Sequence, residues 1–213
     1  MLPSIKTAED FQKHFNVDSD VMERLRVYES LLLKWQKTIN LISPNTLQTL
    51  WSRHFADSAQ LLPLFVGGTK TCVDMGSGAG FPACVLAIMN PHLSFTAIES
   101  DQRKAQFLKT VSRETGANIA VLNERIENAN LGTVPDTITA RALASLDVLL
   151  GFCAGWAAQN PALEMVFLKG ESVEAEVSSA QQKYDFEYKI LPSVTHHDGR
   201  VLLIKNLCKR SIS

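Results

Sequence analysis

The 213-residue chain has no apolar run near the roughly 20 residues that a membrane-spanning helix needs. Its first residues, Met1-Leu2-Pro3-Ser4-Ile5-Lys6, lack the apolar stretch of a secretory signal. Charge of neither sign dominates, since 21 Lys and Arg face 22 Asp and Glu for a formal net charge of −1. Such a balance supplies no global field for nucleic acid, so a partner of that kind must be met by a local basic patch. Cysteine is scarce. Cys72, Cys84, Cys153 and Cys208 form no pair motif, which argues against a disulfide framework and reads as free thiols in a reducing compartment. The expected location is the cytoplasm, with no membrane partner. No metal is expected either: His196-His197-Asp198 is the nearest approach to a ligand cluster, and adjacent side chains in a hairpin loop point apart. Internal repeats and low-complexity tracts are missing too. With 46% apolar residues, the chain can bury the core of one globular domain with a modest extension.

The most informative stretch runs from Thr71 to Pro82, TCVDMGSGAGFP. An apolar strand ends in an acid, Asp74. Gly76, Gly78 and Gly80 follow at alternate positions, and the apolar run Cys84 to Met89 reads as a helix. A strand that turns into a helix through glycines lets a ligand press against bare backbone, beside the unpaired N–H groups of the helix start. An acid at the strand end suits a cationic ligand better than a pyrophosphate, which points to S-adenosylmethionine. The next strand, Ser94 to Glu99, also ends in an acid. In a doubly wound sheet, an acid at that tip sits beside a ribose and can take both hydroxyl protons.

The rest of the chain falls into two parts. The first ~65 residues read helical. Val21, Leu25, Tyr28, Leu32, Trp35 and Ile39 recur at three- and four-residue steps, with Asp18-Ser19-Asp20 as an N-cap. Ser43-Pro44 starts another helix, and Trp51 to Leu62 continues in helical register. Val66-Gly67-Gly68 marks the boundary, which divides the chain into a helical extension, 1–68, and a second unit, 69–213. In the second unit, strands are expected at 71–75, 94–99, 118–122, 136–141 and 162–168, and helices at 81–89, 101–115, 145–158 and 171–183. This alternation argues for a parallel sheet covered on both faces. Phe186 to Leu191 and Val201 to Leu207 form a terminal hairpin that inserts one antiparallel strand. The expected class is α/β, a Rossmann-like sheet of the class I methyltransferase type, preceded by helices.

Taken together, these residues resemble the 16S rRNA guanine-527 N7-methyltransferase family, also called glucose-inhibited division protein B. The likeness begins with Trp35-Gln36-Lys37-Thr38-Ile39-Asn40-Leu41-Ile42 and Arg53-His54-Phe55-Ala56-Asp57-Ser58. It runs on through the glycine loop, Arg103-Lys104-Ala105-Gln106-Phe107-Leu108, Arg125-Ile126-Glu127, Arg141-Ala142-Leu143-Ala144-Ser145-Leu146 and Lys169-Gly170. The chain departs from the family at Ala83 and Cys84, where a glycine and an aliphatic residue are usual, and at Glu99, which is often aspartate. The resemblance implies methyl transfer from S-adenosyl-L-methionine to guanine N7 in the 530 loop of 16S rRNA in the small ribosomal subunit. It also implies a cofactor site built from Asp74, Gly76, Ser77, Gly78, Gly80, Phe81, Glu99, Ser100, Arg125, Ile126, Glu127 and Arg141. RNA contacts are expected from Arg141, Lys169, Arg103 and Lys104, and the expected state is a monomer.

The chemistry agrees with that implication. Guanine N7 carries a lone pair and no proton at neutral pH, so no catalytic base is expected, only in-line approach and desolvation. The chain lacks the Asn-Pro-Pro-aromatic tetrapeptide that grips exocyclic amines. Cys84 falls inside an apolar helical turn, a poor place for a nucleophile. His54 and Asp57, three residues apart, share a helix face and are read with Arg53 as a polar junction between the helices and the sheet. Two other readings stay open on the residues alone. A nicotinamide oxidoreductase would want Gly-x-Gly-x-x-Gly, where this chain has Gly-x-Gly-x-Gly. An RNA-binding assembly factor could keep a vestigial cofactor site.

Overall fold

Strand–helix alternation after residue 70 builds one seven-stranded sheet in the computed structural model, which describes residues 3–65 and 70–210. The expected boundary at Val66-Gly67-Gly68 lies outside the described residues. The strands are β1 (Lys70–Met75), β2 (Leu93–Ile98), β3 (Ile119–Leu122), β4 (Thr137–Arg141), β5 (Glu164–Lys169), β6 (Tyr184–Pro192) and β7 (Arg200–Lys209). Their spatial order is β3-β2-β1-β4-β5-β7-β6. β1 pairs in parallel with β2 and β4, at the point where the order reverses. In such sheets ligands bind beyond the carboxyl ends of the strands at that switch point. β7 enters between β5 and β6, antiparallel to both.

The helices are α1 (Ala8–Phe15), α2 (Ser19–Trp35), the short α3 (Asp57–Ala59), α4 (Ala83–Met89), α5 (Gln102–Thr115), α6 (Leu146–Gln159) and α7 (Val173–Ala180). α5 starts where the Asp101 carboxylate accepts the N–H groups of Arg103 and Lys104 and stops at Gly116, whose φ of 63° is left-handed. One apolar cluster joins α1, α2, α4 and α5 to one face of the sheet, and a second joins α6 and α7 to the other.

The helical extension differs in detail from its periodicity. α2 ends at Trp35, short of Ile39, because the Gln36 side chain takes over the next turn. Its Oε1 accepts from the N–H groups of Leu41 and Ile42, and its Nε2 donates to the Ile42 carbonyl. Asp18 occupies the N-cap position of α2 without a side-chain cap bond. Pro44–Thr49 is 3₁₀ rather than α, and Trp51–Ala56 winds as a π-helical turn. π turns are rare and recur at functional sites. This one carries Arg53 and His54 toward the sheet.

Candidate active site

Parallel pairing places Asp74 of β1 opposite Thr139 of β4. The consequence is a 2.6 Å hydrogen bond from Thr139 Oγ1 to Asp74 Oδ1. Asp74 Oδ2 is buried and has no partner. Burial pushes the carboxyl up to about 6, against the pull of Thr139 and the positive Arg141. Beyond Asp74 the loop turns through Gly76 and Gly78, with φ of 63° and 55°. Between them, Ser77 N–H donates to the Ile98 carbonyl at 3.0 Å and its hydroxyl to the Asp74 carbonyl at 2.9 Å. Glu99 fastens this loop to the next. Its Oε2 accepts the Gly78 N–H at 2.8 Å and its Oε1 the Asp101 N–H at 2.7 Å.

These two loops wall a cleft of about 540 Å³. Gly76, Ser77, Gly78, Phe81, Glu99, Ser100, Arg125, Ile126, Glu127 and Arg141 all line it, and so does Lys104. Asp74 lies beneath the wall rather than in it. Gly80 departs from expectation. It is not part of the lining, and a side chain there would run into Cys84 Sγ and approach the Tyr28 hydroxyl at 3.1 Å. Its missing Cβ lets the extension seat against the loop. Tyr28 Oη completes that contact by donating to the Ala79 carbonyl at 2.5 Å. Arg103 is exposed at the start of α5, outside the cleft lining.

Arg141 is the hub of the extension–sheet junction. Its Nη2 donates to the Arg53 carbonyl at 3.0 Å and lies 2.8 Å from His54 Nδ1. Its Nε sits 3.6 Å from Asp57 Oδ2, and its guanidinium lies 5.7 Å from the Phe81 ring centroid. Nη1 is buried without a partner. With Arg141 able only to donate, His54 must accept at Nδ1 and carry its proton on Nε2, which lies 2.9 Å from Thr46 Oγ1. Burial, then the Arg141 and Arg53 charges, push the His54 pKa down to about 3, so this ring stays neutral. Cys84 is fully buried in α4, and burial pushes its thiol well above the ordinary range.

A second cleft of about 550 Å³ shares the turn Arg141–Ala144 with the first and lies over the ends of β4, β5 and the β6–β7 hairpin. Lys169 borders it but is not a free cation. Its ammonium donates to Glu176 at 2.7 Å and to the Ala144 carbonyl at 2.9 Å, and it tethers the shared turn. Ala142 within that turn has a left-handed φ of 50°, and the neighbouring Leu143 side chain covers Gly76.

A model of the rRNA small subunit methyltransferase G family matches residues 21–206. The chain belongs to that family. It is 43% identical over 205 residues to ribosomal RNA small subunit methyltransferase G of Paramagnetospirillum magneticum, covering 94% of this chain and 96% of that one. The Rhodospirillum centenum protein of the same name is 42% identical over 211 residues, covering 99% and 95%. Solved structures show the same fold at low identity. A 16S rRNA (adenine(1408)-N(1))-methyltransferase variant from Catenulisporales acidiphilia has a TM-score of 0.52 at 16% identity, over 74% of this chain and 93% of that one. M. jannaschii TYW2 in complex with AdoMet has 0.51 at 12%, over 71% and 74%. Membership of the methyltransferase G family makes the protein an S-adenosyl-L-methionine-dependent rRNA methyltransferase. The site fits that cofactor on its own terms, because Asp74 Oδ2 is a buried acceptor that a cationic amino group would satisfy. No helix among the described residues is long and apolar enough to cross a membrane.

Sequence reasoning did not find Thr139 or Leu143 of the methyltransferase G site. Thr139 would have followed from strand register, by sliding 136–141 against 71–75. Leu143 had no signal, because it reaches Gly76 only through the left-handed backbone at Ala142.

Proposed function

We propose that the protein methylates N7 of guanine 527 in 16S rRNA by direct in-line transfer, without a general base. The observation that carries this reading is that the described cleft wall holds no uncommitted histidine, and that its best-placed carboxylate, Glu99, is tied to the N–H groups of Gly78 and Asp101. His54 is the only histidine lining it, and its Nδ1 is committed to Arg141 while its pKa is pushed to about 3. A ring nitrogen with a free lone pair is the acceptor such a wall can serve.

S-adenosyl-L-methionine supplies an electrophilic methyl group when bound. Asp74 Oδ2 and Arg141 Nη1 are two unpartnered buried groups of opposite charge, and they suit the amino and carboxylate ends of its methionine part. Each Glu99 oxygen accepts one backbone N–H and keeps a lone pair for a ribose hydroxyl. Backbone groups of Arg125, Ile126 and Glu127 hold the adenine edge. Phe81, whose ring packs against Tyr28, His54 and Phe55 of the extension, keeps water from the transfer point. Arg103 and Lys104 guide RNA toward the cleft mouth, and Lys169 acts through the turn it tethers.

The same reading takes the protein as a cytoplasmic monomer with a helical extension, 1–68, seated on a methyltransferase unit, 69–213. Five large apolar side chains stay exposed among the described residues, and two of them, Leu143 and Val148, line the first cleft, which supports the monomer. Incubation with unmodified small subunits and tritiated cofactor, followed by aniline cleavage at N7-methylguanosine, tests the assignment. Label at guanine 527 supports it. Label at another nucleotide or another atom refutes it.

A further inference from the structure

We propose that the second cleft is the pocket for the acceptor nucleotide, with Arg53 and Arg200 as its RNA-holding residues; this rests on the rRNA-methylation reading above. The two clefts are of similar size and share one wall, the turn Arg141–Ala144. The first is walled by the groups suited to a nucleoside cofactor, so its transfer end must open toward a neighbouring space. The second cleft is the space on the far side of that wall. Its volume falls within the ~300–1,000 Å³ of small-ligand sites and is ample for one extruded nucleotide.

Among the charges that border this cleft, Glu171 is exposed and Asp198 lies beside His196 and His197, while the cations separate into paired and available groups. Lys169 is bound to Glu176, and Arg141 faces Asp57. Asp57 also accepts from Thr195 Oγ1 at 2.9 Å. Arg53 is exposed, and its guanidinium makes no hydrogen bond or ion pair among the described residues. The Arg53 carbonyl, in contrast, is pinned by Arg141, so the π-helical turn fixes the backbone while leaving the side chain free. Arg200 comes from a different element, at the start of β7. Its Nη1 donates to the carbonyls of His197 at 2.7 Å and Gly199 at 2.9 Å, which sets the orientation of the planar group and leaves Nε and Nη2 as donors. Two guanidinium groups from separate elements bordering one nucleotide-sized cleft match the phosphates that flank a flipped base. They also meet the need for a local basic site on a chain of near-zero net charge.

The test uses full-length protein and purified unmodified small subunits, with Arg53→Ala, Arg200→Ala and Arg200→Lys. S-adenosylhomocysteine affinity is measured by calorimetry, and methyl transfer under single-turnover conditions across a salt series. Arg200→Lys keeps the charge and guards against a hairpin that fails to fold. We expect cofactor affinity unchanged, the subunit concentration for half-maximal rate raised about 10-fold in the two alanine variants, and a salt slope shallower by about one unit in each. Arg200→Lys should recover most of the salt slope. Arg26→Ala, an exposed paired arginine on α2, should match wild type. Wild-type half-saturation and salt slope in Arg53→Ala and Arg200→Ala would overturn the pocket while leaving the function standing. Loss of cofactor affinity in both would assign the cleft to the cofactor instead. A wild-type protein that transfers no methyl group to small subunits would refute the functional reading itself.

Discussion

Asp74→Asn isolates the titration that the structure places under the cofactor. Burial holds the Asp74 carboxyl at about 6, against 3.8 for an ordinary aspartate, and the Glu99 charge pushes in the same direction. A cationic amino group brought against Oδ2 favours the carboxylate, so binding expels a proton at acid pH. For a group with a pKa of about 6, affinity should rise about tenfold between pH 5 and pH 7 and level off above that. Stability of the free protein follows the opposite sign. A folded-state pKa above the unfolded value means that this group's stabilisation is complete below about 3.8 and is lost as pH rises through about 6. The difference of about two units corresponds to about 3 kcal/mol at neutral pH. Asp74→Asn, neutral throughout, should therefore be more stable than wild type at pH 7 and lose that advantage by pH 4. It should bind S-adenosylhomocysteine at least about tenfold more weakly at pH 7, with no pH slope, because a charge-assisted hydrogen bond is missing. Calorimetry at pH 5, 6 and 7, in paired buffers of different ionisation enthalpy, reads the affinity and the released proton together. Thermal melts read the stability. A wild-type affinity that stays flat from pH 5 to pH 7 with no proton release would refute the reasoning. His54, with a pKa near 3, adds no titration in that window.

Gly78→Val should abolish cofactor binding while the fold persists, since Gly78 has a left-handed φ and faces open space in the cleft; retained calorimetric affinity would remove the loop from the site. Glu99→Ala should weaken cofactor binding by about 1.5–3 kcal/mol, and unchanged affinity would rule out its ribose role. Arg141→Ala should lower cofactor affinity about 10- to 100-fold, and Arg141→Lys should not restore it, because an ammonium cannot reproduce the fork held by the Arg53 carbonyl, His54 and Asp57. With both substrates saturating, the single-turnover rate should be nearly flat through pH 6–8 in wild type and in folded His54→Gln. A rise through pH 6–7 that the variant loses would restore a general base, for which ~10²–10⁴-fold in rate is typical.

Local signals carried most of the sheet. Periodicity and turn residues located every strand from β1 to β7 and all four longer helices between them, because each is set by its own residues. Asp74 and Glu99 were legible for the same reason, as acids that end apolar strands. Legibility failed where distant segments decide the structure. Gly80 read as a ligand glycine because it continues the alternation of Gly76 and Gly78. Only the packing of Tyr28 and Cys84 shows that its space is already filled by protein. Lys169 read as an RNA contact at a strand end, and its partner Glu176 lies one helix turn into α7, close in sequence but recognisable only once that helix is placed. The π-helical turn at Trp51–Ala56 is invisible to an α-helical period, since its extra residue is stabilised by contacts with Phe81 and Arg141 rather than by its own side-chain order.

The seat of the helical extension also sets an order on the chain's own assembly. Tyr28 meets its acceptor 51 residues later, and the Arg53 carbonyl meets Arg141 after 88. Phe55 meets Phe11 edge-on and Tyr28 at a tilt, all within the first 55 residues, but the ring that caps Tyr28 and Phe55, Phe81, comes later in the chain and the guanidinium over that ring comes last. During synthesis from the N-terminus, an aromatic surface thus waits uncovered until β4 emerges, and contacts of such long span form slowly. Any nascent or truncated chain that ends before Arg141 carries that surface exposed. The hub that joins the two clefts in the finished enzyme is, for the growing chain, the latch that tells its first helices where to stop.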